Sequence, residues 1–122
     1  MSEVNLVTNT LKEDLTQFTG TENWYKYLNI VITDGIQFLA ESAQCYWLID
    51  VVASVQYLPK LRNAEFQVWK LEKNESNSKA IVKCDDGNGV KLYSQKIEYT
   101  DFSLPEIKLY FCNKVLMLTS EY

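Results

Sequence analysis

The run from Cys45 to Leu58 constrains the fold most. Leu48, Val51, Val52 and Val55 recur at i, i+3, i+4 and i+7, so a helix gathers them on one face with Trp47 at its edge. Pro59 follows. The residue before a proline is pushed out of the α region, so the helix is expected to end near Tyr57. Nearly everything C-terminal of Pro59 carries strand patterns. An apolar helical face and amphipathic strands bury their greasy sides against each other. The expected architecture is therefore α+β: an antiparallel meander of about five to seven strands packed on one central helix, with a short N-terminal helix.

The flanking segments fill in this plan. Leu11, Leu15 and Phe18 share a helical face, Thr10 and Glu13 have capping-box spacing, and Gly20 suits the stop. Trp24 to Tyr27 is dense in aromatics and leads into a β-branched strand over Leu28 to Thr33. Asp34-Gly35 has the composition of a two-residue hairpin turn, which makes Ile36 to Ala40 the returning strand, although the same stretch also reads as a first helical turn. Lys60 to Ala64 reads as a polar connector. Further strands are expected over Glu65–Glu72, Lys79–Cys84, Val90–Ile97, Glu106–Cys112 and Val115–Leu118. The last two are joined at Asn113-Lys114, and Asp85 to Gly89 forms a turn.

At 122 residues, 47% apolar and 13% aromatic, the chain is expected to be a single domain, residues 1–122, with a real core. Its apolar runs are short, such as Ile30 to Ile32, far from the roughly 20 residues a bilayer span needs. Met1 to Asn5 lacks a basic segment followed by an apolar run, so no signal peptide is expected. A cytoplasmic location follows, with an idle sequon at Asn74-Glu75-Ser76. Three dispersed cysteines, Cys45, Cys84 and Cys112, fit reduced, buried thiols.

Several chemistries lose their usual parts. The chain has no histidine, which removes the commonest general base, Ser-His-Asp and Cys-His nucleophiles, and His-ligated zinc. Neither GxxxxGK nor GxGxxG occurs. Asp85-Asp-Gly-Asn-Gly89 fails as a calcium loop, because Gly87 and Gly89 occupy ligand positions. No metal, cofactor or catalytic residue is expected.

What remains is adhesion. Residues 1–50 hold seven acidic and two basic side chains, while the rest of the chain is nearly balanced. An acidic protein repels phosphate backbones, so direct nucleic-acid binding is not expected, and a protein with a basic surface is the better partner. The candidate contact residues are the aromatics Trp24, Tyr25 and Tyr27 with the carboxylates Asp34, Asp50, Asp85 and Asp86. Asp50 falls on the polar side of the central helix, flanked by Tyr46, Ser54 and Tyr57.

Several stretches together carry a resemblance. They are Leu15 to Glu22, Thr33 to Glu41, Tyr46 to Asp50, Phe66 to Leu71, Cys84 to Gly89, Tyr99 to Phe102 and Ser120 to Tyr122. In these the chain resembles an uncharacterised family of small bacterial proteins, a domain of unknown function associated with mobile elements. Thr119 departs from the family pattern, which has proline before the closing Ser-Glu-Tyr. The resemblance implies a fold unit rather than an activity. In size, acidity and lack of catalytic residues the chain is similar to inhibitors of host defence. The implied function is a non-enzymatic, anti-CRISPR type of inhibitor that binds an RNA-guided nuclease or its RNA complex. The alternatives are an accessory module of a mobile element with no defence target, or a small carboxylate- or Cys-dependent enzyme.

Overall fold

The structure is a computed structural model that describes residues 10–74 and 76–122. The N-terminal segment tested for a signal peptide and the middle residue of the sequon lie outside the described residues. Helix α1 covers residues 10–16. Thr10 is already helical, so the cap position of α1 also lies outside them, and the helix stops before Gly20. Leu11 and Leu15 are buried, and Phe18 packs on Phe38 with ring centroids 5.3 Å apart.

Strands β1 (Trp24–Tyr27) and β2 (Ile30–Thr33) form an antiparallel hairpin. Helices α2 (Asp34–Ser42), α3 (Tyr46–Ser54) and α4 (Pro59–Arg62) follow. Strands β3 (Phe66–Lys73), β4 (Ala80–Asp85), β5 (Lys91–Ile97), β6 (Glu106–Cys112) and β7 (Val115–Leu118) complete the chain, with a 3-10 turn at Thr119–Glu121. The five C-terminal strands fall where alternation places them, within a residue or so at each end.

The protein is thus α+β, but two expectations are overturned. First, the seven-stranded sheet is mixed. Its order is β1-β2-β7-β6-β3-β4-β5, and β2 runs parallel to β7 through Val31–Val115 and Ile32–Leu116. Consecutive strands also pair as β3-β4-β5 and as β6-β7, but among the described residues β2 does not pair with β3, nor β5 with β6. The chain then returns to the other edge of β3 as β6, and β7 closes the gap to the N-terminal hairpin. Second, no single helix dominates. Asp34-Gly35 is not a hairpin turn but the start of α2: Thr33 is its N-cap, and its hydroxyl accepts the Ile36 N–H at 3.3 Å. Ile36, Leu39 and Ala40 then recur at helical spacing and are buried. The Cys45 to Leu58 run yields α3, which ends at Ser54, and Pro59 opens α4 as its first residue instead of merely ending a helix.

One face of the sheet meets the helices. Ile30, Ile32, Trp69, Leu71, Val82, Leu109 and Leu116 join Ile36, Leu39, Leu48, Ile49 and Val52 in one core cluster. Each such aliphatic side chain, fully buried, stabilises the fold by about 1.5–3 kcal/mol before entropy is counted. Val51, expected on the buried face of α3, is only half-buried, and Ile49 and Ala53 take its place. Gln67 is the polar exception in this layer. It exchanges two 2.9 Å amide hydrogen bonds with Gln56 and accepts the Trp69 indole N–H at 2.8 Å. The opposite face of β3 presents Phe66, Val68, Lys70 and Glu72, all partly exposed.

Candidate functional site

The fold separates the seven candidate contact residues. Alternation along β1 sends Tyr25 and Tyr27 toward the helices and Trp24 to the other side, where it is 60% exposed. Asp85 and Asp86 close the β4–β5 turn, at the end of the sheet order remote from β1. There they serve the backbone: Asp85 Oδ1 accepts the Gly87 N–H at 2.7 Å, and Asp86 Oδ1 accepts those of Asn88 and Val90 at 2.8 and 3.1 Å. Tyr25 with Asp34, and Tyr27 with Asp50, form two separate pairs on the helical side.

Asp34 is committed to a joint. Its carboxylate accepts the Tyr25 hydroxyl at 2.7 Å and the backbone N–H groups of Glu22 and Asn23 at 3.0 and 3.2 Å. Led by the Tyr25 hydrogen bond, these donors hold its pKa down to about 2, and the same bond raises that of Tyr25. The other N–H groups of the first turn of α2 are also taken. Asp34 N–H donates to Thr21 Oγ1 at 2.8 Å, and Gly35 N–H to Glu121 Oε2 at 3.0 Å. Glu121 Oε1 further accepts the Thr33 hydroxyl at 2.6 Å and the Leu118 N–H at 2.9 Å. Gly35 is needed for its size: a Cβ there would lie 2.6 Å from Glu121 Oε1 and 2.6 Å from Leu118 Cδ1. Three stretches that carry the family resemblance, around Thr21, Thr33 to Gly35 and Glu121, therefore meet to close one helix end.

The second pair remains on the surface. Tyr27 donates its hydroxyl to Asp50 Oδ1 at 2.6 Å, and that bond pushes its pKa up to about 12. The Tyr27 ring stacks on Tyr46, with centroids 5.9 Å apart and planes within 15°. Tyr46 in turn donates to Glu41 Oε2 at 3.3 Å, and burial first, then Glu41, raises its pKa. Two exposed carboxylates on α2 and α3 are thus held by one stacked tyrosine pair. Sequence reasoning placed Tyr46 beside Asp50 but not among the contact residues, and it passed over Glu41. The Tyr46–Glu41 contact spans the α2–α3 junction and becomes meaningful only once α2 is a helix.

Nucleophiles and general bases are poorly provided for at these positions. Burial pushes the Cys45 and Cys84 thiols up to about 12, so neither is a thiolate near neutral pH. Asp34 stays ionised far below neutrality and Tyr27 stays protonated far above it. No group of three or more metal-ligating side chains occurs among the described residues. No helix among them is long and apolar enough to cross a membrane.

The sheet's outer face holds residues that sequence reasoning passed over. Phe66, Tyr110 and Tyr122 pack mutually, with centroids 5.1, 5.3 and 5.5 Å apart, outside the core cluster. They come from three separate segments, and no local pattern announces their meeting.

No curated protein and no solved structure matches the chain. A family model does match, over residues 9–122, and its description is a family of unknown function, DUF6876. The chain belongs to that family.

Proposed function

We propose that the protein works by adhesion, as a non-catalytic module that docks its acidic helical side on a basic surface of another protein. The observation that carries this reading is the array Asp50–Tyr27–Tyr46–Glu41. Carboxylates held in place lose less side-chain freedom on meeting a lysine or arginine, and stacked tyrosines offer rigid apolar area beside them. The perturbed groups support the same reading, since each is shifted away from the range in which it could exchange a proton at neutral pH.

In its narrower form the partner is an RNA-guided nuclease, alone or with its RNA, and binding inhibits it. This form draws on size, acidity and the missing histidine, by analogy with small inhibitors of host defence from mobile elements. The test is nuclease turnover with the purified protein in excess, repeated with Asp50→Lys and Glu41→Lys together. Inhibition that weakens on charge reversal and on added salt is expected. Turnover untouched by the wild-type protein removes the narrower form. Binding that survives the double reversal removes the site.

A further inference from the structure

The outer face of the sheet carries a row of lysines. Lys83, Lys70 and Lys108 face one another directly across β4, β3 and β6, through the registers Lys70–Lys83 and Lys70–Lys108. Like charges opposed on a ladder destabilise it. Lysines are commonly placed on edge strands to prevent sheet-to-sheet pairing, but these three strands are interior, so edge protection does not explain them. Glu72 offsets part of the repulsion, reaching Lys83 at 2.7 Å and Lys70 at 3.2 Å, and Glu106 stands 4.0 Å from Lys70. Lys108 is exposed.

Along the same face the next row is Asp85, Val68 and Tyr110, and Phe66 stands one row further on. The Phe66 and Tyr110 rings pack together with Tyr122 against both, and Tyr122 is 74% exposed. Two hollows, about 370 and 410 Å³, adjoin at Lys70 and Lys108. The first is lined by Phe66, Tyr110, Asp85 and the glycines Gly87 and Gly89, and the second adds Lys12 from α1 and Glu106.

We infer that this face binds single-stranded nucleic acid, with phosphates along the row of lysines and bases on the aromatic cluster. Stacking on aromatic rings combined with a cationic track is what such strands require, and it tolerates any base sequence. The acidic N-terminal half does not forbid it, because the fold puts the exposed carboxylates of α2 and α3 on the helical side and these lysines on the other. The inference does not depend on the proposed docking of the helical side, and its failure would leave that reading untouched.

The experiment is fluorescence anisotropy of the purified chain with a labelled pyrimidine strand about ten nucleotides long, against the same sequence as a duplex. The single strand is expected to bind more tightly than the duplex. Its log–log salt slope should be about −2, as three phosphate contacts give. Tyr122→Ala should weaken binding about tenfold, the equivalent of one lost stacking contact. Lys108→Glu should weaken it and flatten the salt slope, while Lys60→Glu on α4, the same charge change on the helical side, should leave it within about twofold. These variants alter exposed side chains, and unchanged thermal melts would show that folding is intact. Absence of single-strand binding at low salt overturns the inference. So does an equal loss from Lys60→Glu. A polyglutamate that displaces the strand, with Tyr122→Ala without effect, also overturns it and assigns the face to an acidic polypeptide.

Discussion

Gly35 shows how a single atom can decide a fold. A methyl group there would press on the Glu121 carboxylate and on Leu118, each at 2.6 Å. Side-chain ends usually yield, but this carboxylate is held by the Thr33 hydroxyl and by the N–H groups of Gly35 and Leu118. Gly35→Ala is therefore expected to destabilise the protein by about 1–3 kcal/mol, in the range of overpacking, despite the better helix propensity of alanine. Urea melts measure it, and a variant as stable as the parent would mean that the joint is not closed as described. Asp34 adds a pH dependence with a defined sign. Its folded pKa of about 2 lies below the ordinary 3.8, so it contributes stability that is full above 3.8 and lost as pH falls through 2. Asp34→Asn should lower stability at neutral pH and flatten the decline over that acid window. Urea midpoints on either side of the window measure this, and identical pH profiles would contradict the assigned donors.

At the level of elements, the sequence was legible where a pattern is local. The alternation of β3 to β7 and the pairing of β6 with β7 across Asn113-Lys114 follow from neighbours a few residues apart. Helix α2 was legible only as the second reading of Ile36 to Ala40, because Asp34-Gly35 is a strong turn signal, and the helix start is closed by the Thr33 cap together with Glu121 from the far end of the chain. The parallel β2–β7 pair was hidden for the same reason: both strands are short and β-branched or aliphatic, and nothing in either names its partner. The β6–β7 turn permits a direct check. Asn113 and Lys114 have φ of 54° and 66°, the left-handed pair that a two-residue hairpin requires. Asparagine tolerates this conformation better than lysine does. The Lys114 carbonyl also accepts the Val31 N–H at 2.9 Å, a backbone bond that any residue keeps. Lys114→Gly is thus expected to stabilise the protein by roughly 0.5–1 kcal/mol, the relieved strain exceeding the added freedom of the unfolded chain. A lower urea midpoint for the glycine variant would show that the lysine side chain contributes there.

Over the whole molecule, the sequence divides charge by halves and the fold divides it by faces. That is why the aromatic and acidic candidates were partly legible and the sheet's outer face was not. Tyr27 and Asp50 are marked by exposure patterns within single elements, whereas Phe66, Tyr110, Tyr122 and the facing lysines exist as a group only in the assembled sheet. The same interleaving governs how the protein comes apart. Strand β7 lies between β2 and β6, so among the described residues the N-terminal hairpin has no sheet neighbour except the C-terminal strand. Helices α2 and α3 bury their apolar faces in the one cluster that also holds Trp69 and Leu109. Segments before and after Pro59 therefore lack separate cores, and unfolding should be a single cooperative event. Fluorescence of Trp69, fully buried on β3, should lose its native signal at the same denaturant concentration as far-UV circular dichroism. Hydrogen exchange should give the β2 amides that face β7 protection close to that of β6, while the edge strands β1 and β5 open locally first. Loss of β2 protection well before that of β3 and β4 would instead divide the molecule into two units and contradict the shared core.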